Sequence, residues 1–224
     1  MHHASQDRSR ALTVLLAAAS LSSVACSTTI EDLQLISDES LMQISGPDRP
    51  EPCQKTKKNC MYLNSLEELS PAQAELLSKF QGKHIWLDNI GFLDSTSAKF
   101  LAKWKGDSLY LNSLKGLDAG AAKALTRWKG KHLYLDGVQA LPMKMLNELI
   151  KIRAKHLSLN GVEEINDDTA KVLIKWKRGK HLSLNGIGEI DTRTAQILST
   201  WPGKRLDLDG LRSVTSEVAG SLGS

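Results

Sequence analysis

The chain has 224 residues, and its 29 Lys and Arg against 25 Asp and Glu give a formal net charge of +4 at pH 7. This length suits one large domain or two small ones, and a hydrophobic share of 41% excludes a disordered polar chain. Basic residues are interspersed with acidic ones along the chain. Nucleic-acid binding would need a clustered basic stripe, so we expect no nucleic-acid partner.

The first 25 residues have the features of a secretory signal peptide. Arg8 and Arg10 precede an apolar run at 11–21, and small residues follow. The run is too short to span a bilayer, which needs about 20 apolar residues, but it suits the core of a signal sequence. The protein is therefore predicted to be exported.

The stretch "LSSVAC" at 21–26 resembles a bacterial lipobox. The resemblance implies cleavage before Cys26 and lipidation of that cysteine, although Ser23 stands where Leu is usual. Ordinary cleavage near Ala25, which would leave a free thiol, is the alternative. Ser27 follows the cysteine in place of the Asp that would imply retention in the inner membrane. The resemblance therefore implies an outer-membrane lipoprotein.

Two further cysteines, Cys53 and Cys60, border the stretch "CQKTKKNC". In an oxidising compartment they can close a short loop as a disulfide. A zinc site would need more ligands nearby, and this stretch has no His. We expect a disulfide, within a tether and N-terminal cap at 26–59.

A sevenfold repeat begins at residue 60. Apolar triplets recur 24 residues apart, with one step of 25 where "KRGKH" carries an extra residue. The triplets are MYL at 61–63, IWL at 85–87, LYL at 109–111, LYL at 133–135, LSL at 157–159, LSL at 182–184 and LDL at 206–208. A period of about 20–50 residues is typical of stacked supersecondary units.

Within each unit the hydrophobic period changes from that of a strand to that of a helix. The triplet predicts a short strand with one buried face, and the Asn or Asp after it predicts a turn. A residue suited to an N-cap then precedes about ten residues at helical spacing. The predicted N-cap residues are Ser70, Asp94, Asp118, Asn166, Asp191 and Thr215.

Two columns of side chains are predicted to pack the helices against the strands and each other. The small column is Ala74, Ala98, Ala122, Ala170, Ala195 and Ala219, and the aromatic column is Phe80, Trp104, Trp128, Trp176 and Trp201. In "WKG" at 104–106 and 128–130, the Gly is expected to end the helix. One unit has Leu146 and Ile152 at the two column positions, changes that offset each other in volume.

The L-x-L strands followed by a turn and a helix resemble the leucine-rich repeat family, in particular its secreted bacterial branch with the "LxLNGL" signature. The resemblance covers 60–224. It implies an α/β solenoid with seven short parallel strands on the concave side and helices on the convex side. Most members have Asn three residues after the last strand Leu, but this chain has Leu66, Ile90, Leu114, Val138, Val162, Ile187 and Leu211. We therefore expect no buried asparagine ladder, and backbone groups at that bend must find other partners.

Residue types that recur at one strand position become rows, because adjacent parallel strands lie about 4.8 Å apart. Alternation along each strand directs the leucines inward and the residues beside them to the concave surface. The predicted binding face consists of an aromatic row (Tyr62, Trp86, Tyr110, Tyr134), a histidine row (His84, His132, His156, His181) and an Asn/Asp row (Asp88, Asn112, Asp136).

The aromatic row predicts a contact surface centred on the first four units, because Tyr and Trp are frequent interface anchors and the core does not need these rings. The alternative is that stacking across strands only stabilises the sheet. The Asn/Asp row is interpreted as capping turn N–H groups, with ligand contact as the alternative.

Neighbouring histidines could share a metal ion, but no carboxylate or cysteine in their row completes a ligand set, so we expect solvated side chains and no metal site. The lysines at 83, 131, 155 and 180 form a basic rim, interpreted as a solvated edge. Attraction of this rim to an acidic partner or to lipid headgroups is the alternative.

No activated nucleophile, acid/base pair or phosphate-binding loop is recognisable, and Ser, His and Asp follow the repeat instead of gathering at one place. We therefore expect no enzyme and no cofactor. The leading hypothesis is an exported, lipid-anchored scaffold in the cell envelope that binds a protein partner through its aromatic concave face. Two alternatives remain, a cell-wall or surface glycan on the same aromatic row, and a structural envelope lipoprotein without a discrete ligand.

Overall fold

The computed structural model of the protein describes residues 59–223. The predicted signal peptide at 1–25, the lipidation site Cys26 and the predicted disulfide partner Cys53 lie outside the described residues. The signal peptide, the lipid anchor and the Cys53–Cys60 disulfide therefore stay predictions. In the described part of the chain, no helix has the length and apolar character needed to cross a bilayer.

Seven three-residue strands form one parallel sheet within the described residues, in chain order. The strands are β1 (Cys60–Tyr62), β2 (His84–Trp86), β3 (Ser108–Tyr110), β4 (His132–Tyr134), β5 (His156–Ser158), β6 (His181–Ser183) and β7 (Arg205–Asp207). Each strand pairs with the next at the same position of the repeat, as Met61 does with Ile85. This confirms the predicted α/β repeat solenoid with seven short parallel strands.

One short helix follows each strand. The helices are α1 (Pro71–Leu77), α2 (Ser95–Leu101), α3 (Ala119–Leu125), α4 (Met143–Leu149), α5 (Asp167–Leu173), α6 (Thr192–Ser199) and α7 (Ser216–Leu222). With seven or eight residues they are shorter than expected. All six predicted N-cap residues are confirmed, because each side chain accepts a hydrogen bond from a backbone N–H in the first turn of its helix.

The two predicted columns form the core between helices and strands. The column alanines of the first five helices that carry one are fully buried, but Ala219 in α7 is exposed, because no further described unit packs against that helix. The aromatic rings stack from layer to layer, with 6.0 Å between the ring centroids of Trp104 and Trp128. The corresponding distance between Trp176 and Trp201 is 5.8 Å. The core interpretation of the tryptophans is confirmed.

The fourth unit differs from the others in both its cap and its core. Its helix begins after Pro142, which offers no side-chain cap. Leu146 and Ile152 occupy the alanine and aromatic positions and are fully buried, as a repacked layer requires. The aromatic stack is interrupted at Ile152, whose carbonyl lies 3.4 Å from the indole Nε1 of Trp176.

The glycines of the two "WKG" segments, Gly106 and Gly130, have a different role from the predicted one. Helix α2 ends at Leu101, well before Gly106. Its C-cap is Ala102, whose backbone is in the right-handed helical conformation. The prediction that this glycine ends the helix was therefore wrong. A Cβ on Gly106 would overlap the indole ring of Trp104, and a Cβ on Gly130 would overlap that of Trp128. Glycine is required because the ring lies directly against the backbone.

The bend after each strand satisfies its backbone groups without a buried asparagine. The N–H of Leu66 donates to the carbonyl of Leu63 at 3.0 Å, and the N–H of Val138 donates to that of Leu135 at 3.1 Å. The same bond recurs at all seven bends. A local turn thus closes the bend, and its aliphatic side chain is free to pack in the core.

The last strand, β7, is one of the two edge strands of the described sheet. Its Leu206 is only partly buried, and Arg205 Nε donates to Asp207 Oδ1 at 2.6 Å. Charged side chains on an edge strand oppose pairing with another chain. The arrangement agrees with the charged residues that surround this strand in the sequence.

Replacing Gly130 by Ala tests the contact between glycine and tryptophan. The added methyl group must displace the buried Trp128 ring, so the free energy of unfolding should fall by about 1–3 kcal/mol. Gly116→Ala is the control, because a Cβ there meets nothing within 4 Å. Denaturant unfolding of both variants provides the measurement, and equal stabilities would contradict this role of the glycine.

Candidate binding face of the sheet

The structure brings the eleven predicted contact residues to one side of the sheet, which we call the open face. The pairing aligns Tyr62 with Trp86, Trp86 with Tyr110, and Tyr110 with Tyr134. Further along, the same position is held by Ser158 and then by Ser183 and Asp207. The aromatic residues are therefore real neighbours in space, whereas in the histidine row Ser108 lies between His84 and His132.

The four aromatic rings form a continuous face-to-face stack. Ring centroids are 4.4 Å apart between Tyr62 and Trp86, 4.4 Å between Trp86 and Tyr110, and 4.3 Å between Tyr110 and Tyr134. The interplanar angles are 15°, 9° and 4°. Each inner ring is thus covered on both faces, so mainly ring edges face outward, and the hydroxyl oxygen of Tyr62 is buried.

Exposure differs along this stack. The expectation that all four rings are exposed was wrong for Trp86, which is only 4% exposed, whereas the three tyrosines are half-buried. Burial, followed by the neighbouring Tyr134 hydroxyl, raises the pKa of Tyr110. Burial also raises the pKa of Tyr134. Both tyrosines therefore keep their hydroxyl protons at neutral pH and can donate hydrogen bonds.

His156 closes the end of the aromatic stack. Where Ser158 leaves space beside Tyr134, the His156 ring approaches Tyr134 edge-on, with centroids 5.0 Å apart. The same imidazole stacks on His181 at 4.1 Å and contacts His132 at 5.8 Å. The histidines are half-buried and in ring contact, so the expectation of solvated side chains was wrong.

Burial is the main influence on the pKa of three of the four histidines in the row. Burial, with smaller contributions from His181 and His132, lowers the pKa of His156 from 6.5 to about 4. Burial likewise lowers the pKa of His84 and of His132. His156 Nε2 is a buried nitrogen without a hydrogen-bond partner among the described residues. The imidazoles of His84, His132 and His156 are therefore mainly neutral at pH 7.

The second half of the open face is a network of short polar side chains. Ser158 Oγ donates to Asp136 Oδ1, and Asn160 Nδ2 donates to Ser158 Oγ at 2.9 Å. Ser183 Oγ donates to Asn160 Oδ1 at 2.7 Å. The repeated Ser and Asn in "LSLN" at 157–160 and 182–185 were the signal for this network. Its groups largely satisfy one another, which favours a structural role.

The Asn/Asp row links each unit to the next. Asn64 Oδ1 accepts a hydrogen bond from the backbone N–H of Asp88 at 3.1 Å, and Asp88 Oδ1 accepts one from Asn112 at 3.1 Å. The pattern continues to the N–H of Asp209 through six bonds of 2.9–3.3 Å. Capping of backbone N–H groups is confirmed, although the N–H belongs to the next unit. Burial raises the pKa of Asp88.

The described residues offer no assembled catalytic or metal centre. Ser108 Oγ lies 3.2 Å from His132 Nδ1, but Ser108 is only 3% exposed. The contact between imidazole and carboxylate is made elsewhere, at 2.6 Å between His181 Nε2 and Asp207 Oδ2. Between residues 59 and 223, no three His, Cys, Asp or Glu side chains are grouped so as to hold a metal ion.

No protein-family profile matches the chain, and no curated protein is significantly similar to it in sequence.

Trp86→Ala tests how much the aromatic stack contributes to stability. The free energy of unfolding should fall by about 3–5 kcal/mol, because the indole is buried between two rings. Phe92→Ala removes an aromatic side chain from the same unit that is 61% exposed, and should change stability by less than about 0.5 kcal/mol. Similar losses in the two variants, measured by urea unfolding, would contradict the burial of Trp86.

The lowered pKa of His156 predicts a pH-dependent stability. Between pH 6.5 and about 4 the unfolded chain binds a proton at this residue and the folded chain does not, so stability falls as the pH falls through that window. His156→Gln should reduce this dependence, by up to about 1.4 kcal/mol per pH unit for one proton. Unfolding free energies measured across the window would refute the assignment if variant and parent gave parallel curves.

Proposed function

We propose that the protein is an exported, lipid-anchored scaffold of the cell envelope whose open face binds another protein. The observation that supports this most is the in-register stack of Tyr62, Trp86, Tyr110 and Tyr134, in which three tyrosines stay partly exposed. Stacked rings have already lost their rotational freedom, so little further entropy is lost when a partner binds. The row offers a rigid band of aromatic edges and hydroxyl donors.

The ring geometry favours a protein over a glycan as the partner. A sugar ring stacks on an aromatic face, but both faces of Trp86 and Tyr110 are covered by neighbouring rings. The outer face of Tyr134 is approached by His156. Ring edges and tyrosine hydroxyls suit the mixed apolar and hydrogen-bonded contacts of a protein interface.

The cellular placement is proposed from the N-terminal sequence. The signal-peptide pattern at 1–25 and the lipobox resemblance around Cys26 support export and anchoring in the outer membrane. The resemblance of the repeat units to leucine-rich repeats supports a binding role over catalysis. The separation of the Ser–His contact from the His–Asp contact among the described residues also favours a non-enzymatic role.

Site-specific photocrosslinking distinguishes a binding scaffold from a purely structural lipoprotein. In cells that express the full chain, a benzoylphenylalanine at position 110 keeps an aromatic ring in the stack, and one at the exposed Lys123 of α3 is the control. We expect one discrete protein adduct from position 110 and none from position 123. The same adducts from both positions, or none from 110, would contradict the proposal.

Tyr110→Phe combined with Tyr134→Phe then tests the hydroxyl groups without dismantling the stack. Loss of two hydrogen bonds, each contributing about 1 kcal/mol, should weaken affinity for the crosslinked partner by a factor of roughly ten or more. The stack should stay folded because the rings remain, and thermal stability should fall only slightly, through loss of the hydrogen bonds of the Tyr110 hydroxyl with Tyr134 and Ser108. Unaltered affinity, measured by titration calorimetry, would show that the tyrosine edges are not the contact surface.

A further inference from the structure

The segments between each helix and the next strand carry three rows of basic side chains, which we call the basic edge. In these segments exposed residues alternate with buried ones such as Trp128 and Gly130. The first row is Lys79, Lys103, Arg127, Lys151 and Lys175; the second is Lys105, Lys129, Arg153, Lys177 and Arg178; the third is Lys83, Lys131, Lys155, Lys180 and Lys204. All fifteen side chains are exposed.

Backbone hydrogen bonds fix the spacing of these cations. The N–H of Lys155 donates to the carbonyl of Lys131, that of Lys180 to Lys155, and that of Lys204 to Lys180, each at 2.8 Å. The last four lysines of the third row therefore lie in successive layers, about 4.8 Å apart, whereas Asp107 lies between Lys83 and Lys131. Like charges on directly adjacent strands repel each other and destabilise a sheet.

Few acidic groups neutralise the basic edge. The only acidic residue at the positions of the three rows is Asp107, which lies 3.1 Å from Lys131 Nζ. Within residues 59–223, two other members form ion pairs, Lys151 with Glu148 at 2.8 Å and Lys79 with Glu75 at 3.9 Å. Twelve of the fifteen cations thus have no ion-pair partner in the described structure.

The modest net charge of +4 does not reveal this basic surface, because many acidic residues lie at the opposite edge. We call the segments between each strand and the next helix the opposite edge. That edge carries the N-cap carboxylates Asp94, Asp118 and Asp191, and the exposed pair Glu163 and Glu164. The expectation of interspersed charges holds along the chain but fails on the folded surface. Basic side chains are stabilised near helix C-termini, but this stabilisation is limited to the last turn. It would therefore account for the first basic row and not for the other two.

We propose that the basic edge binds the anionic headgroups of a lipid bilayer. Twelve of the fifteen residues are lysines, whose compact charges suit diffuse attraction to a charged surface more than the bidentate recognition typical of arginine. The tryptophans that alternate with these basic residues along the chain are buried, so they offer no platform for stacking nucleic-acid bases.

The predicted lipidation of Cys26 would attach the same chain to a bilayer. A lipid chain combined with a polybasic surface anchors a protein more stably than either alone. The basic edge is made of residues other than those of the open face. Membrane binding and partner binding can therefore succeed or fail independently.

Vesicle sedimentation tests the proposal on the full chain carrying Cys26→Ala, so that no acyl chain contributes. With its basic edge unaltered, this protein should bind phosphatidylcholine vesicles that contain roughly one-third phosphatidylglycerol. It should not bind vesicles of pure phosphatidylcholine. Binding should weaken as salt shortens the Debye length below about 10 Å. Absence of binding to the anionic vesicles would overturn the proposal.

Matched charge neutralisation locates the contact. Lys129→Gln, Arg153→Gln and Lys155→Gln together should reduce partitioning on the order of a hundredfold, because each cation near an anionic surface contributes about a factor of five. The control combines Lys115→Gln, Lys144→Gln and Arg212→Gln, which removes the same charge from exposed positions outside the basic edge. It should retain binding within a fewfold.

Two results would contradict the assignment to this edge or to lipid. Equal losses in both triple variants would show that net charge alone matters. Tighter binding of heparin or RNA than of anionic vesicles would indicate a different polyanion. Circular dichroism of each variant checks folding, and crosslinking from position 110 reports separately on the open face.

Discussion

The structure depends on the parallel pairing of strands in which every unit meets the next at the same repeat position. With layers about 4.8 Å apart, any residue type that recurs in the repeat becomes a continuous row. The side-chain oxygens of the Asn/Asp row strengthen this register, because each accepts the backbone N–H of the equivalent residue in the following unit. A shift by one residue would break these bonds and exchange the buried and exposed faces of the sheet.

The uniform backbone carries two chemically different halves. The first four strands align aromatic rings, and the next two align serines that hydrogen-bond to Asp136 and Asn160. The turns change one unit before this junction, since Gly137 stands where the third unit has Ser113, and a Cβ on Gly137 would overlap the carbonyl of Asn112. His156 stands at this junction and contacts rings on both sides. The join between the halves is therefore the most chemically distinctive part of the open face.

Much of the architecture could be predicted from the sequence, because periodicity and capping chemistry are local signals. The strand positions, the six N-cap residues and the tryptophan core follow directly from them. Contacts between layers are harder to predict from the sequence. No local sequence signal shows that an indole covers Gly106, or that ring stacking buries Trp86. Of the basic edge, only the lysines at 83, 131, 155 and 180 were recognised, and they were interpreted as a solvated rim. The other two rows were missed because their members alternate with buried residues and are balanced, in the overall composition, by acids on another surface.

Nuclear Overhauser contacts between aromatic protons test the central claim most directly, and the chain's three tyrosines keep assignment tractable. The in-register stack predicts strong contacts from Trp86 to Tyr110 and from Tyr110 to Tyr134, whose ring centroids are 4.4 Å and 4.3 Å apart. Rings that instead contact strand leucines, with no cross-peaks to one another, would contradict the register and the surface rows derived from it.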